Sequence, residues 1–463
     1  MSSTAPSKPG GQPAKLTAAA LATAFDGPLD RRRFSPMYQL GLLVVAGMMI
    51  VLPLVYAAIV AGSAWLTWQY ATHAVGMFEH LHGRALIFGA IVYVAPIIAG
   101  GLLVLFLLLP ALWRPAKKGP RPYWVDEREQ QLLHAYVQRL CDALGCPRPY
   151  RIDLVAQANA SAHIDNGIFG LVHRRLVLTI GLPLVSSMTL KELTGVIAHE
   201  LGHFSQGGFM RVSYVVHGIN GWFARLAYSH SGIDEMLDGL LSDEPAWPVA
   251  LIAGLSKILL WLSRLVLKAL AILSHACCMH LSRQAEFDAD WQAARVVGSD
   301  SMASAMEKLP VIEAGNSIAI DMAKHAWTRR RLPDDLVLYS RHMAKHVPPD
   351  VKSSIEAQLL AADASWFDTH PPLFKRIGAL KKARLAGVMK IDARATVLFK
   401  DYAELSKMTT IELYMSALGN LLQPEHIVPT ELPGVAAGSP AKQPGHSPAP
   451  RISKPAVAAI RPA

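Results

Sequence analysis

The stretch Gly195-Val196-Ile197-Ala198-His199-Glu200-Leu201-Gly202-His203-Phe204 is the centre around which the chain is organised. The run from Leu190 to Phe204 has a helical pattern, and on a helix His199 and His203, four residues apart, share one face. Both imidazoles then reach a single ion. Glu200 lies about 100° further round the helix, where it serves a water on that ion without being a ligand. Neutral nitrogen donors, an open coordination position and a nearby carboxylate are what zinc-assisted hydrolysis needs. Gly202 keeps bulk away from the metal. The competing reading is a chance H-E-x-x-H on a surface helix.

Two histidines seldom close a catalytic zinc site, so a third ligand is required. Ser282-Arg283-Gln284-Ala285-Glu286-Phe287-Asp288-Ala289-Asp290-Trp291 forms a second helical pattern, with Glu286 and Asp290 again four apart. Glu286 fits a His₂Glu set, and Asp290 fits an acceptor for the ring N–H of a ligand histidine. The same acidic pair equally fits an ordinary solvated face, and spacing alone does not choose.

Four motifs in order carry a family resemblance: Asn159-Ala160, His199-Glu200-Leu201-Gly202-His203, Arg283 to Asp290, and Thr369-His370-Pro371-Pro372-Leu373-Phe374-Lys375-Arg376-Ile377. Over roughly residues 125 to 380 the chain resembles the M48 family of membrane zinc metallopeptidases, in its HtpX-like branch. The resemblance implies one Zn²⁺ per chain held by His199, His203 and Glu286, with Glu200 as general base. It implies that the Asn159-Ala160 strand lines the substrate cleft and that His370 faces the reaction centre. Ser161 stands where the family has an aromatic, which alters that subsite. The paired prolines hold His370 in place, where it would stabilise the developing oxyanion, and Arg376 orients the loop or binds an acidic group of the substrate. An extended substrate would add to an exposed strand edge.

At 463 residues, with 52% hydrophobic residues and a mean hydropathy of +0.26, the chain is too apolar for a typical soluble protein. The formal charge of +10 is not accompanied by a nucleic-acid motif, so protein or peptide substrates and a lipid bilayer are the expected partners. Cys141, Cys146, Cys277 and Cys278 make no framework and read as free thiols in a reducing compartment.

The expected organisation is a disordered tail over 1–33, a transmembrane hairpin over 34–120 with spans at about 38–62 and 85–113, a peptidase domain over 121–428, and a disordered tail over 429–463. Arg31 to Arg33 before the first span and Arg114, Lys117, Lys118 and Arg121 after the second place both ends, and the catalytic region, on the cytoplasmic side, and the resemblance implies a bacterial inner membrane. The fold class is α+β and mainly helical, a gluzincin-like zinc metalloprotease domain with a small sheet. Residues 125–144 read as an amphipathic helix, and 150–155, 164–169 and 176–180 as strands, the last two a hairpin turning near 172–175. Within a membrane-associated insert at about 209–280, residues 229–248 read as a loop. Residues 249–280 carry Lys257, Arg264 and Lys268 on one face, which favours a helix on the membrane surface over a span. Residues 301–309, 351–362 and 373–385 read as helices, with a basic linker between the first two. The resemblance implies endopeptidase cleavage of misfolded or membrane proteins. A zinc-stabilised scaffold without turnover is the alternative, but it would have no use for Glu200.

Overall fold

The computed structural model describes residues 21, 23–25, 27, 36–80, 82–112, 122–165, 175–205, 208–228, 232–242, 246–360 and 371–432. In chain order the elements are α1 (Pro36–His73), α2 (Arg84–Leu112), β1 (Tyr123–Trp124), α3 (Gln131–Leu144), β2 (Arg151–Val155), β3 (Ala160–Ile164), β4 (Leu176–Gly181), α4 (Leu182–Ser187) and α5 (Leu190–Gly202). There follow α6 (Gly208–Tyr228), α7 (Gly232–Ser242), α8 (Trp247–Val297), α9 (Ser299–Trp327), β5 (Leu332–Pro333), α10 (Leu336–Lys345), α11 (Pro349–Leu360), α12 (Leu373–Ala383), α13 (Tyr402–Leu418) and β6 (Ile427–Val428). The chain divides into two compact units, one of Met1–Arg32, Lys118–Gly207 and Arg283–Ala463, the other of Arg33–Lys117 and Gly208–Ser282.

The second unit is helical and apolar on its outside. Leu43, Val44, Leu54, Phe88 and Ile91 are more than half exposed, as on helices that meet lipid rather than water. Three helices are long and apolar enough to cross a membrane by length and composition: Gln39–Gly76, Arg84–Leu109 and Val249–Val297. The first two are the expected spans. Helix α1 runs on through Trp65, Trp68 and Tyr70, and its 38 residues make a rod of about 57 Å, well beyond the roughly 30 Å hydrocarbon layer. The third includes the segment for which a surface helix was favoured; it meets the length and apolarity of a span despite its three basic residues. One of these, Lys257, pairs with Asp238 on α7, inside the region expected to be a loop. That region folds because Leu237 buries against Phe106, Ala253 and Leu260.

Packing in this unit combines small residues with internally satisfied polar groups, as helices do where water is scarce. A Cβ on Gly100 would collide with Thr67 Oγ1, so α1 and α2 approach closely there. Tyr70 and Tyr93 donate to the carbonyls of Val92 and Ala71 across the same pair, each at 2.7 Å.

The first unit holds the four-stranded sheet, in the order β1-β2-β4-β3, with β2 parallel to β4 and both edge strands antiparallel. Its core joins Leu133, Tyr136, Val137 and Leu140 of α3 to Ile152, Leu154, Leu176, Leu178 and Ile180 of the sheet and to Leu190, Leu193, Ile197 and Leu201 of α5. The partner of β4 is Ala160–Ile164, earlier in the chain than expected; the remainder of the expected strand, 166–169, and most of the turn lie outside the described residues. Helix α3 starts at Gln131 because residues 126–130 form a turn, with Glu129 N–H donating to Asp126.

Two expectations of disorder or linker give way to packing. Leu21, Ala24 and Phe25 are buried, and the Phe25 ring lies 5.4 Å from that of Tyr136, so part of the supposed tail belongs to the core. Residues 433–463 lie outside the described residues. The helix expected at 301–309 continues as α9 through Pro310, and the expected basic linker is the rest of α9 with β5 and α10. Proline removes one helical N–H bond, which the packing of α9 against α10 and α5 outweighs.

Candidate metal centre

Helix α5 is fixed at its start before it presents any chemistry at its end. Thr189 Oγ1 accepts from Glu192 N–H and Glu192 Oε2 accepts from Thr189 N–H, a reciprocal cap. The same carboxylate takes Lys308 Nζ at 2.7 and 2.9 Å and Ser304 Oγ at 2.6 Å, tying α5 to α9. Burial raises the Glu192 pKa, but these donors outweigh it and hold the group below its usual range. A Cβ on Gly195 would lie 3.0 Å from Met302 Sδ and 3.2 Å from Val297 Cγ2, a tight fit, and Gly202 faces Ala289 of α8. A Cβ on Gly202 would make only ordinary van der Waals contact with Ala289.

At the far end of α5, His199 and His203 set their rings 4.9 Å apart between centroids, nearly perpendicular. Glu286 of α8 meets both, Oε2 at 3.5 Å from His199 Nε2 and Oε1 at 3.7 Å from His203 Nε2. Ligand atoms from the three residues all lie within 4.8 Å of one another. A tetrahedral zinc site with bonds of about 2.0–2.1 Å has ligand-to-ligand edges of about 3.3–3.4 Å, so the donor set fits that ion in type and in spacing.

Asp290, one turn beyond Glu286, accepts from His199 Nδ1 at 2.8 Å, which leaves Nε2 directed at Glu286. Burial lowers the His199 pKa, yet the bonds to Asp290 and Glu286 outweigh it and lift it to about 9. Asp290 is held the other way: burial raises its pKa, and Arg376 with His199 brings it below the usual range. Arg376, expected on the substrate side, lies inside this network. Its Nε and Nη2 grip Asp290 at 2.7 and 2.6 Å, its Nη1 reaches Glu286 at 3.1 Å, and its side chain is only 12% exposed. With three contacts to buried carboxylates its guanidinium is already occupied. His370 lies outside the described residues, while Pro371 and Pro372 lead into α12 and so place Arg376.

Glu200 turns toward the sheet: its Oε2 accepts from Ala162 N–H of β3 at 3.4 Å. The bonds Gly181 N–H to Asn159 O and Asp165 N–H to Arg175 O show that odd-numbered residues of this strand pair with β4. Ala160, Ala162 and Ile164 therefore turn their N–H and C=O groups outward from the sheet edge. Asn159, proposed from sequence as the backbone contact, spends its carbonyl on Gly181; its exposed side chain remains available.

Comparison with known proteins agrees with this arrangement. The profile of Peptidase family M48 matches residues 127–384, more than half of the chain. The chain belongs to peptidase family M48. Among curated M48-like relatives it is similar to Protease HtpX of Alkalilimnicola ehrlichii, 26% identical over 213 residues, covering 45% of this chain and 56% of that protein. It is similar to Protease HtpX of Shewanella denitrificans, 25% identical over 210 residues (45% and 60%), and of Haemophilus ducreyi, 24% identical over 259 residues (55% and 73%). The match thus spans under two thirds of the first two relatives. The role of Arg376 in this M48 chain was not legible from spacing, since nothing local links it to Asp290; its place in the fourth motif was the available signal.

Proposed function

We propose that this chain is a membrane-anchored zinc metalloendopeptidase that hydrolyses peptide bonds of misfolded or membrane proteins, with its catalytic unit on the cytoplasmic side of a bacterial inner membrane. One observation carries the reading: Glu200, the residue next to His199 of the converging donor set, turns its carboxylate to the outward edge of β3, where its Oε2 accepts from Ala162 N–H. That is where a base must stand if water attacks a carbonyl held along the edge. His199, His203 and Glu286 would hold the zinc, which when bound supplies a Lewis acid that acidifies water and polarises the scissile carbonyl.

The chain's own groups do the remaining work. The substrate lies extended on β3, its main chain exchanging hydrogen bonds with the N–H and C=O of Ala160 and donating to the C=O of Ala162. Glu200 takes the proton of the attacking water at its carboxylate and delivers it to the departing amine. Asp290 keeps His199 in the tautomer whose Nε2 carries the free lone pair, and Arg376 offsets the negative charge that Glu286 and Asp290 bring into a buried place. His370 is assigned to the developing oxyanion through the family resemblance. The test pairs zinc quantification with digestion of an unfolded protein such as casein by the purified chain and its Glu200→Gln variant. The reading requires zinc in both and cleavage in the first alone; equal cleavage by the variant refutes it.

A further inference from the structure

Asn316 is a polar residue buried to 5% exposure in the middle of α9, and its amide is spent on a segment 160 residues earlier. Its Oδ1 accepts from Ala158 N–H at 3.1 Å, and its Nδ2 donates to Ala156 O at 3.2 Å. A second bond from Nδ2, to Ser340 Oγ of α10 at 2.8 Å, fixes the amide plane, and Ser340 in turn donates to Leu336 O. Gly315 makes this possible, since a Cβ there would lie 2.4 Å from Ala344 N and would hold α10 away.

The segment so gripped is the turn that enters β3. Residues 156–158 immediately precede Asn159 and Ala160, and on the other side Gly181 fits against them so closely that a Cβ would meet Gln157 O at 2.1 Å. The turn is thereby clamped between α9 and the end of β4. An asparagine suits this task because one side chain offers an acceptor and a donor to neighbouring backbone groups, which an apolar residue of the same size cannot do. We infer that Asn316 is a positioning residue for substrate: by fixing the turn at 156–158 it sets the height of the outward N–H and C=O groups of Ala160 against the metal centre. This rests on the reading of β3 as the docking strand. Among the described residues β3 is an edge strand with a sheet neighbour on one side only, and the entry turn is its second restraint.

The experiment uses the full chain in detergent, comparing wild type with Asn316→Leu, Asn316→Asp and, as control, Ser340→Ala, which leaves both bonds to the turn in place. With an unstructured peptide substrate, Asn316→Leu raises KM about tenfold while kcat stays within about threefold, since only ground-state docking is disturbed. Zinc content is unchanged, and amide exchange quickens at residues 158–162 but not along α5. Asn316→Asp shifts KM in the same direction, because a carboxylate faces Ala156 O, and it serves alone if the leucine variant does not fold. Unchanged KM with unchanged exchange at 158–162 overturns the inference, as does a fall in kcat and zinc content together with KM unmoved. A wild-type chain that cleaves nothing sinks the peptidase reading instead, and the exchange result then decides the positioning claim by itself.

Discussion

Asp290 and Arg376, 86 residues apart in sequence, meet through two parallel hydrogen bonds, Nε to Oδ2 at 2.7 Å and Nη2 to Oδ1 at 2.6 Å, in a site where Asp290 is 2% exposed. The pair stands behind His199, so the charge balance of the candidate donor set and the orientation of one of its members depend on a residue outside that set.

Replacing Arg376 by lysine or glutamine removes the forked grip and leaves Asp290 and Glu286 underpaired. We expect zinc affinity to fall about 10–100-fold, the usual scale for losing an outer partner of a ligand, and stability to fall by about 3–5 kcal/mol for a broken buried pair. Competition against a chelator measures the first and thermal unfolding the second.

Glu286 supplies the only carboxylate among the three donors that converge in the described residues. Glu286→Gln keeps the shape but not the charge, so zinc retained after dialysis should drop from about one ion per chain toward none, with peptide cleavage lost in proportion. Full metal occupancy in that variant would require a different third ligand.

The cap at the start of α5 predicts a pH signature. The Glu192 carboxylate is depressed below its unfolded value, so its contribution is complete above the unfolded range near pH 4.5 and disappears as pH falls through the folded value. Glu192→Gln should therefore cost about 1–2 kcal/mol at pH 7, kept low because the Lys308 side chain is 45% exposed. Wild type and variant should converge in thermal unfolding as the solution is acidified below the folded pKa.

Gly181→Ala tests the clamp on the entry turn from its other side. The added methyl would overlap Gln157 O and Asn159 O at 2.1 and 2.5 Å, both backbone atoms that cannot swing away. A loss of about 1–3 kcal/mol follows from such overpacking, read as a lowered unfolding midpoint.

Phe25→Ala probes the segment ahead of α1. With the ring 8% exposed and set against Tyr136, truncation should cost about 3 kcal/mol. Because Tyr136 hydrogen-bonds Thr194 on α5, amide exchange along α5 should quicken as well.

Much of this site is legible in the sequence because its parts are helical and local. The pairs His199 with His203 and Glu286 with Asp290 announce themselves by four-residue spacing, and the hydropathy of about 38–62 and 85–113 marks two candidate spans without any fold. What escaped was set by tertiary contact. Nothing near Arg376 names Asp290 as its partner, and nothing in the sequence around Asn316 names Ala156 and Ala158. Strand β3 was displaced because Ala160, Ser161 and Ala162 have weak strand propensity and pair only because β4 lies beside them. Helix α9 outlasts Pro310 for a similar reason: a long contact with α10 overrides a local breaker. Phe25 lay in a stretch rich in proline, glycine and alanine, where a single buried ring leaves no periodicity to detect.

The alternation along β3 bears on which clients this chain would accept. What the strand offers is a ladder of main-chain donors and acceptors from every second residue, and any polypeptide able to straighten carries the matching rungs whatever its side chains spell. A natively folded protein has already committed those rungs to itself. Discrimination would then rest on whether a client has lost its own architecture, so that damage, rather than a cleavage motif, marks a protein for destruction.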